Sequence, residues 1–322
     1  MNKKIISLIK VVLPLFIGIG LVWYLFTNII TPTKLLEYFK DANYWWISLG
    51  LFFGMLSHLS RAYRWNFMLE PMGYRVSFIN STLALLIGYF INLAIPRAGE
   101  VTRATVIAKY ENIPFEKGFG TIVTERIIDL IMMFLIIGIT LLIEFNFIVD
   151  LALKKFNSTK IFISLLIFLI VILLIYKYVK KSNTGVTVKI KNFIKSLIEG
   201  VTSIFRMKKK WAFILHTLFI WIMYVLMFWA TIPAIEGLNV PIGGVLVGFI
   251  AGAFSIATTN GGLGSYPLLV AGAFVLFDVA QEPSTAFGSL IWASQTIMIL
   301  FFGTMSMVLI PLYNKNRKSY IL

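Results

Sequence analysis

The chain predicts an all-α membrane protein: about six full transmembrane helices plus two broken or re-entrant helical hairpins, arranged as an inverted repeat. Three observations carry that expectation. Of its 322 residues 59% are hydrophobic and 13% charged, with a mean hydropathy of +0.87, a composition far from that of a soluble globular domain. Apolar runs of spanning length recur along the chain with no polar domain between them. Two further runs are interrupted by short breaks rich in glycine, proline and polar residues.

A helix needs about 20 mostly apolar residues to cross the hydrocarbon core, and six segments meet that need: 5–26, 44–69, 119–145, 161–179, 211–233 and 284–313. The first reads as a span and not as a cleaved signal, because "GIGLVWYLFTNII" stays bulky and offers no small-residue cleavage site. The two interrupted segments are 77–95, which breaks at Pro96 to Gly99 and resumes over 100–110, and 242–258, which breaks at "TTNGGLGSYP" and resumes as "LLVAGAFVLF". The whole of 1–322 reads as a single polytopic membrane domain, with halves of about 1–180 and 211–322 joined by a basic amphipathic connector, 181–210.

Charge placement orients these segments. Lys3, Lys4 and Lys10 assign the N-terminus to the cytoplasm, and Arg61, Arg64 and Arg75 assign the end of the second span there too. Segment 177–210 carries ten Lys and Arg against the single acid Glu199, so it is also cytoplasmic. Crossings between two cytoplasmic points must be even in number. Segments 77–95, 119–145 and 161–179 make three, so the broken one is expected to re-enter from the cytoplasm. By the same arithmetic 242–278 enters from outside, and Lys315, Arg317 and Lys318 return the C-terminus to the cytoplasm. The alternative is that both broken segments simply span.

"LIGYF" at Leu86 to Phe90 and "LVGFI" at Leu246 to Ile250 lie 160 residues apart, each shortly before its break. With opposite expected orientations they fit an inverted repeat, in which discontinuous helices build a site near the midplane. Broken backbone is tolerated at membrane depth only where protein buries it or it lines a wet cavity.

The first break, "INLAIPRAGEVTRA", concentrates the chemistry. Asn92, Arg97, Gly99, Glu100 and Arg103 cluster around it; Glu100 and Arg103 are three residues apart, on one helical face, and the start of the returning helix offers amide donors suited to a phosphate. Glu125, Arg126 and Asp129 sit in "TERIIDL", and Arg61 and Arg64 in "SHLSRAYRW". Charges at such depths usually face the bundle interior and pair with one another. Two readings stand: an arginine cluster for an anionic head group, its guanidiniums steadied by carboxylates, or interhelical salt bridges at the cytoplasmic rim. At the second break Asn260, Gly261, Gly262 and Gly264, with Thr259 and Ser265, supply backbone freedom and neutral hydrogen-bonding groups. A nucleotide loop is excluded, since no Walker lysine follows and no strand precedes. A glycine cluster for close helix packing is the other reading.

Together these motifs give a family likeness. "RAYRW" at the end of the second span, Asn92 to Arg103, "ERIIDL" from Glu125 to Leu130 and "NGGLGSYP" from Asn260 to Pro267 resemble the lysylphosphatidylglycerol synthase transmembrane region family of flippase-like proteins, which includes the membrane half of the multiple peptide resistance factor. The resemblance covers nearly the whole chain. It implies an integral membrane protein associated with moving lipids or lipid-linked sugars between leaflets. The synthases add a soluble aminoacyl-transferase domain, which has no counterpart here, so lipid aminoacylation is not expected. Many relatives also carry an acid soon after the late glycine motif. Here "LLVAGAF" follows Pro267, which removes the basis for a shared ion-coupling mechanism.

In the connector, Ile190, Phe193, Ile194, Leu197, Ile198, Val201, Ile204 and Phe205 follow helical spacing with lysines off the stripe. This suits either an inner-leaflet surface helix or packing on the bundle's cytoplasmic end. Cysteine is absent, and His58 and His216 stand apart in sequence, so no metal or cofactor site and no enzymatic centre is expected. A formal charge of +15 fits an anionic inner leaflet, and nucleic acid is not expected as a partner. The expected partners are membrane lipids, anionic ones first. The function these readings favour is movement of a phospholipid or lipid-linked anionic head group along a polar groove between the two breaks, in the plasma membrane. A non-transporting lipid-binding or scaffold protein and a small-solute secondary transporter are the alternatives.

Overall fold

The computed structural model describes residues 3–155, 185, 187–188, 207–259 and 261–315, and every regular element among them is helical. The helices are α1 (Lys3–Asn28), α2 (Pro32–Asp41), α3 (Tyr44–Leu69), α4 (Phe78–Ala94), α5 (Ala98–Glu111), α6 (Phe115–Ile143), α7 (Phe145–Lys155), α8 (Lys210–Ala230), α9 (Ile242–Thr258), α10 (Ser265–Val275) and α11 (Gln281–Asn314). By length and composition three described segments can cross a membrane, Phe115–Ile143, Lys210–Ala234 and Gln281–Asn314; Leu15–Asn28 with Pro32–Asp41, bent by 89°, adds a fourth if the pair is one span. The predicted span 44–69 is a single helix, α3, whose last third carries Arg61, Arg64 and Asn66 among apolar residues. The predicted span 161–179 lies outside the described residues, as does most of the connector 181–210.

Local chemistry sets the boundaries. Thr31, Asn43 and Ser77 accept from Lys34 N, Trp45 N and Asn80 N at the starts of α2, α3 and α4, satisfying amides that have no partner within the helix. Pro32 occupies the first turn of α2, where its missing N–H costs nothing.

Backbone packing divides the chain into two units, Met1–Glu125 with Lys208–Leu322, and Arg126–Met207. The boundary falls inside α6. In the second unit, α6 passes almost directly into α7, with Ile148 N donating to Glu144 O at 2.9 Å across the junction.

In the first unit α3 and α8 run antiparallel. Asn43 N donates to Ala234 O at 2.9 Å at one end, and Lys209 Nζ meets Glu70 Oε2 at 3.0 Å at the other. Alpha-helical rise makes the 26-residue α3 about 39 Å long, more than the ~30 Å hydrocarbon core. The Lys208 to Lys210 end of this pair is called the basic end below.

Helices α4 and α5 fold back on each other. At their feet the Glu111 carboxylate accepts from Ser77 N at 3.1 Å and Asn80 Nδ2 at 2.6 Å. Near the tip Gly88 and Gly99 bring the two backbones together, and a Cβ on Gly99 would collide with the Gly88 carbonyl oxygen. The feet lie at the basic end, where Asn66 bonds both Val76 N and Val76 O at 2.8 and 2.9 Å. Helices α9 and α10 form the second hairpin. Gly244, Gly248 and Gly252, four residues apart, face Phe277, Phe274 and Tyr266 in antiparallel order.

The 34-residue α11 ties the hairpins together. Its C-terminal half packs on the first: Asn314 and Asn80 exchange amide hydrogen bonds of 2.7 and 2.9 Å, and Gly303 makes room for Phe90. Its N-terminal half packs on the second: Gly288 abuts the Pro267 backbone, and Phe287 stacks on Phe274 at 5.4 Å. Between these halves the tips touch. Trp292 Nε1 donates to Gly261 O at 2.7 Å, and a Cβ on Gly261 would lie 3.3 Å from Leu93 Cδ2. Helix α1 closes on the same place, with Gly18 against Leu263 and Gly264.

Candidate functional site

The deepest charges converge from three helices. Arg61 and Arg64 on α3, Arg103 on α5 and Glu125 on α6 are 2%, 0%, 3% and 0% exposed. Glu125 Oε1 accepts from Arg61 NH1 at 2.6 Å, and both of its oxygens accept from Arg103 NH1, at 3.1 and 3.0 Å. The Arg103 guanidinium lies over the Trp65 ring, 3.8 Å from its centroid. Trp65 Nε1 donates to Thr121 Oγ1 at 2.8 Å, which donates to Gly118 O at 2.7 Å. Arg64 NH1 donates to Thr217 Oγ1 at 2.7 Å and sits over Phe213. Gly118 lets α6 approach α5 closely enough for this, its Cα facing Ile107 and Ala104.

Charges this buried persist only when paired and hydrogen-bonded. Glu125 therefore holds α3, α5 and the start of α6 in register through two guanidiniums. The stacked indole and the threonine hydroxyls add to the shell. Trp65, Thr121 and Thr217 are the residues the sequence reading missed. Trp65 and Thr217 each meet a buried arginine directly, and Thr121 acts one step removed, through the Trp65 indole.

The other expected residues are placed differently. Arg97 is exposed at the tip of the first hairpin with φ +63°, a left-handed conformation that few non-glycine residues adopt. Asn92 Oδ1 accepts from Gly99 N at 2.7 Å, so the amide offered to a phosphate is already occupied within the hairpin. Glu100 is half-buried in the first turn of α5. Arg103, three residues on, is directed to Glu125. Arg126 pairs with Asp129 at 3.3 Å, within the second unit.

At the second tip Gly261, Gly262 and Gly264 have φ of +60°, +83° and +69°, the region glycine enters without strain. Their neighbours form a closed hydroxyl network: Ser255 to Ser265 at 2.6 Å, Thr259 to Ser265 at 2.9 Å, and Gly262 N donating to Thr259 Oγ1 at 3.2 Å. Asn260 lies outside the described residues. Among the described residues no group of three His, Asp or Glu could hold a metal ion. His216 Nδ1 is paired with Ser60 Oγ at 2.8 Å.

At the solvent-exposed start of α11, Lys34 on α2 meets Glu282 at 2.9 Å, and Tyr38 donates to the same carboxylate at 3.1 Å. The hydrogen bond and charge of Glu282 hold the Lys34 ammonium above its ordinary range.

Helices with apolar outward faces, such as Phe16, Trp23, Leu215 and Phe301, enclosing charges paired at depth, define an integral membrane protein that crosses the bilayer more than once. The chain belongs to the lysylphosphatidylglycerol synthase TM region family, whose model matches residues 11–303. It is 32% identical over 99 residues to UPF0104 membrane protein MJ1595 of Methanocaldococcus jannaschii, which is 30% of each chain. It is 30% identical over 118 residues to Glycosyltransferase AglD of Haloferax volcanii, covering 36% of this chain and 19% of that protein. The matched stretches thus span less than a third of these curated relatives. No solved structure matches the chain.

Proposed function

We propose that this protein is a flippase-like transporter that moves a phospholipid or a lipid-linked anionic head group between the leaflets of the plasma membrane. The observation that carries the reading is the meeting of the two hairpin tips, Gly261 against Leu93, beside the middle of α11. In this reading the hairpins are an inverted repeat, re-entering from opposite faces, and both termini are cytoplasmic. Three facts support it. The feet of the first hairpin share the basic end with Lys208 to Lys210. The 17 residues of α4 reach only about 25 Å, short of the ~30 Å core. Discontinuous helices meeting near the midplane are a recurrent architecture of transport sites.

Arg97, exposed at the first tip, is the cation that receives the head group as it enters. The buried Glu125 cluster fixes the hairpin that carries it. A lipid-linked sugar as cargo draws support from the glycosyltransferase name of the Haloferax relative. The contrasting reading is a lipid-binding protein that moves nothing.

Reconstituted vesicles separate the two. Fluorescent anionic phospholipid is expected to change leaflets faster in vesicles that hold the protein than in empty ones, and Arg97→Gln is expected to slow it. Equal rates with and without the wild-type protein overturn the reading for that lipid.

A further inference from the structure

We propose that His58 and Trp221 form a mid-membrane site for the phosphate oxygens of a lipid head group, a placement that rests on the transport reading and deepens it. His58 on α3 and Trp221 on α8 are 8% and 7% exposed. Among the described residues, His58 Nδ1 and Trp221 Nε1 have no hydrogen-bond partner. Both rings lie against Tyr224, each at 6.1 Å between centroids, and Tyr89 from the first hairpin packs on His58 at 4.9 Å. The two orphan nitrogens thus border one aromatic cluster shared by α3, α4 and α8.

Their depth matters. His58 is 11 residues from the end of α3 at Leu69, about 17 Å along the axis, close to half the ~30 Å core. Hydroxyls on the adjoining turns are satisfied: Ser57 Oγ donates to Gly54 O at 2.6 Å, Ser60 pairs with His216, and Thr217 Oγ1 donates to Phe213 O at 2.8 Å. Leaving two buried nitrogens unmatched at the same depth costs free energy that a ligand can recover.

The chemistry of the nitrogens selects the ligand. An indole N–H only donates, and an imidazole nitrogen donates when it carries the proton, so the ligand must accept. The Arg61 guanidinium, 5.8 Å from the Tyr224 centroid, adds positive potential, part of which it shares with Glu125, and so favours an anionic acceptor. The aromatic rings provide apolar walls for the glycerol carbons of a phosphodiester lipid. On this reading the head group passes between exposed Arg97 at the first tip and a neutral pair of donors.

The test is thermal unfolding of the detergent-solubilised protein with dihexanoyl phosphatidylglycerol, dihexanoylglycerol or inorganic phosphate. The phospholipid is expected to raise the midpoint, and the phosphate-free lipid is expected not to. Trp221→Phe and His58→Phe keep an aromatic ring and remove the nitrogen. Each is expected to weaken the phospholipid response about tenfold or more, while the lipid-free variants unfold at or above the wild-type midpoint because an orphan polar group is gone. An unchanged phospholipid response in both variants overturns the site. Inorganic phosphate matching the phospholipid overturns its assignment to a lipid. The vesicle assay keeps the two proposals apart. A wild type whose binding depends on Trp221 but which moves no lipid leaves the site standing and removes transport. A Trp221→Phe variant that moves lipid at the wild-type rate without altered binding does the reverse.

Discussion

Glu125 is the residue on which the buried charge cluster turns. It is fully buried and accepts from Arg61 and Arg103. Glu125→Gln keeps the shape and removes the charge that both guanidiniums face. Breaking a buried ion pair by removing one partner costs about 3–5 kcal/mol, so thermal unfolding of the variant is expected to show a loss of that order. Glu125→Gln with an unchanged midpoint would mean that the guanidiniums are held by other groups. At the surface the expected effect is smaller and depends on pH. The Lys34 pKa is raised above 10.5 by its hydrogen bond to Glu282, so the stability it adds is complete below that value and fades as pH rises through the folded-state pKa. The thermal midpoint of the wild type is expected to fall across that range more than the midpoint of Glu282→Gln.

At the scale of the element, the hairpins depend on glycines as spacers. A Cβ at Gly248 would lie 2.5 Å from Phe274 Cε1 and 3.1 Å from Phe228 Cζ, in a packed aromatic cluster that also includes Phe287. Overpacking of this kind typically costs about 1–3 kcal/mol, and Gly248→Ala is expected to lower stability by that much in an unfolding titration. Gly99→Ala is expected to be worse for the first hairpin, because its Cβ meets the Gly88 carbonyl oxygen, a backbone atom that cannot rotate away. Gly20→Ala, within α1 where a Cβ meets nothing within 4 Å, is the control and is expected to hold or slightly raise the midpoint, since alanine loses less backbone entropy in a helix.

At the scale of the molecule, the contact between tips is the feature to test. The chain has no cysteine, so Leu93→Cys with Gly261→Cys gives an isolated pair. Oxidation is expected to join them, seen as a mobility shift that reductant reverses, and to slow lipid movement in vesicles if the tips must separate. Failure of the pair to cross-link would contradict the tip contact itself. The same background suits sidedness mapping: on the proposed topology, Lys109→Cys is accessible to an impermeant reagent from the cytoplasmic side and Glu236→Cys from the other.

The sequence by itself determined the solvent, the helical class and the two breaks. Pro96 and the glycines at 261, 262 and 264 are local backbone signals, and the structure puts its helix ends beside them, at Ala94 and Thr258. Arg61, Arg103 and Glu125 were legible as unusual because charge in an apolar run is costly wherever it falls. Which partners they take was decided only by the tertiary structure. Glu100 and Arg103 look like a pair on one helix face, yet Arg103 reaches α6 because helix packing, which Gly118 allows, brings Glu125 within hydrogen-bond distance. His58 reads in the sequence only as a lone histidine beside the arginines, Trp221 carries no motif, and nothing along the chain relates residues 163 positions apart. Their significance arises from burial and missing partners. Those properties belong to the packed bundle, because a side chain's solvation is set by neighbours from other helices.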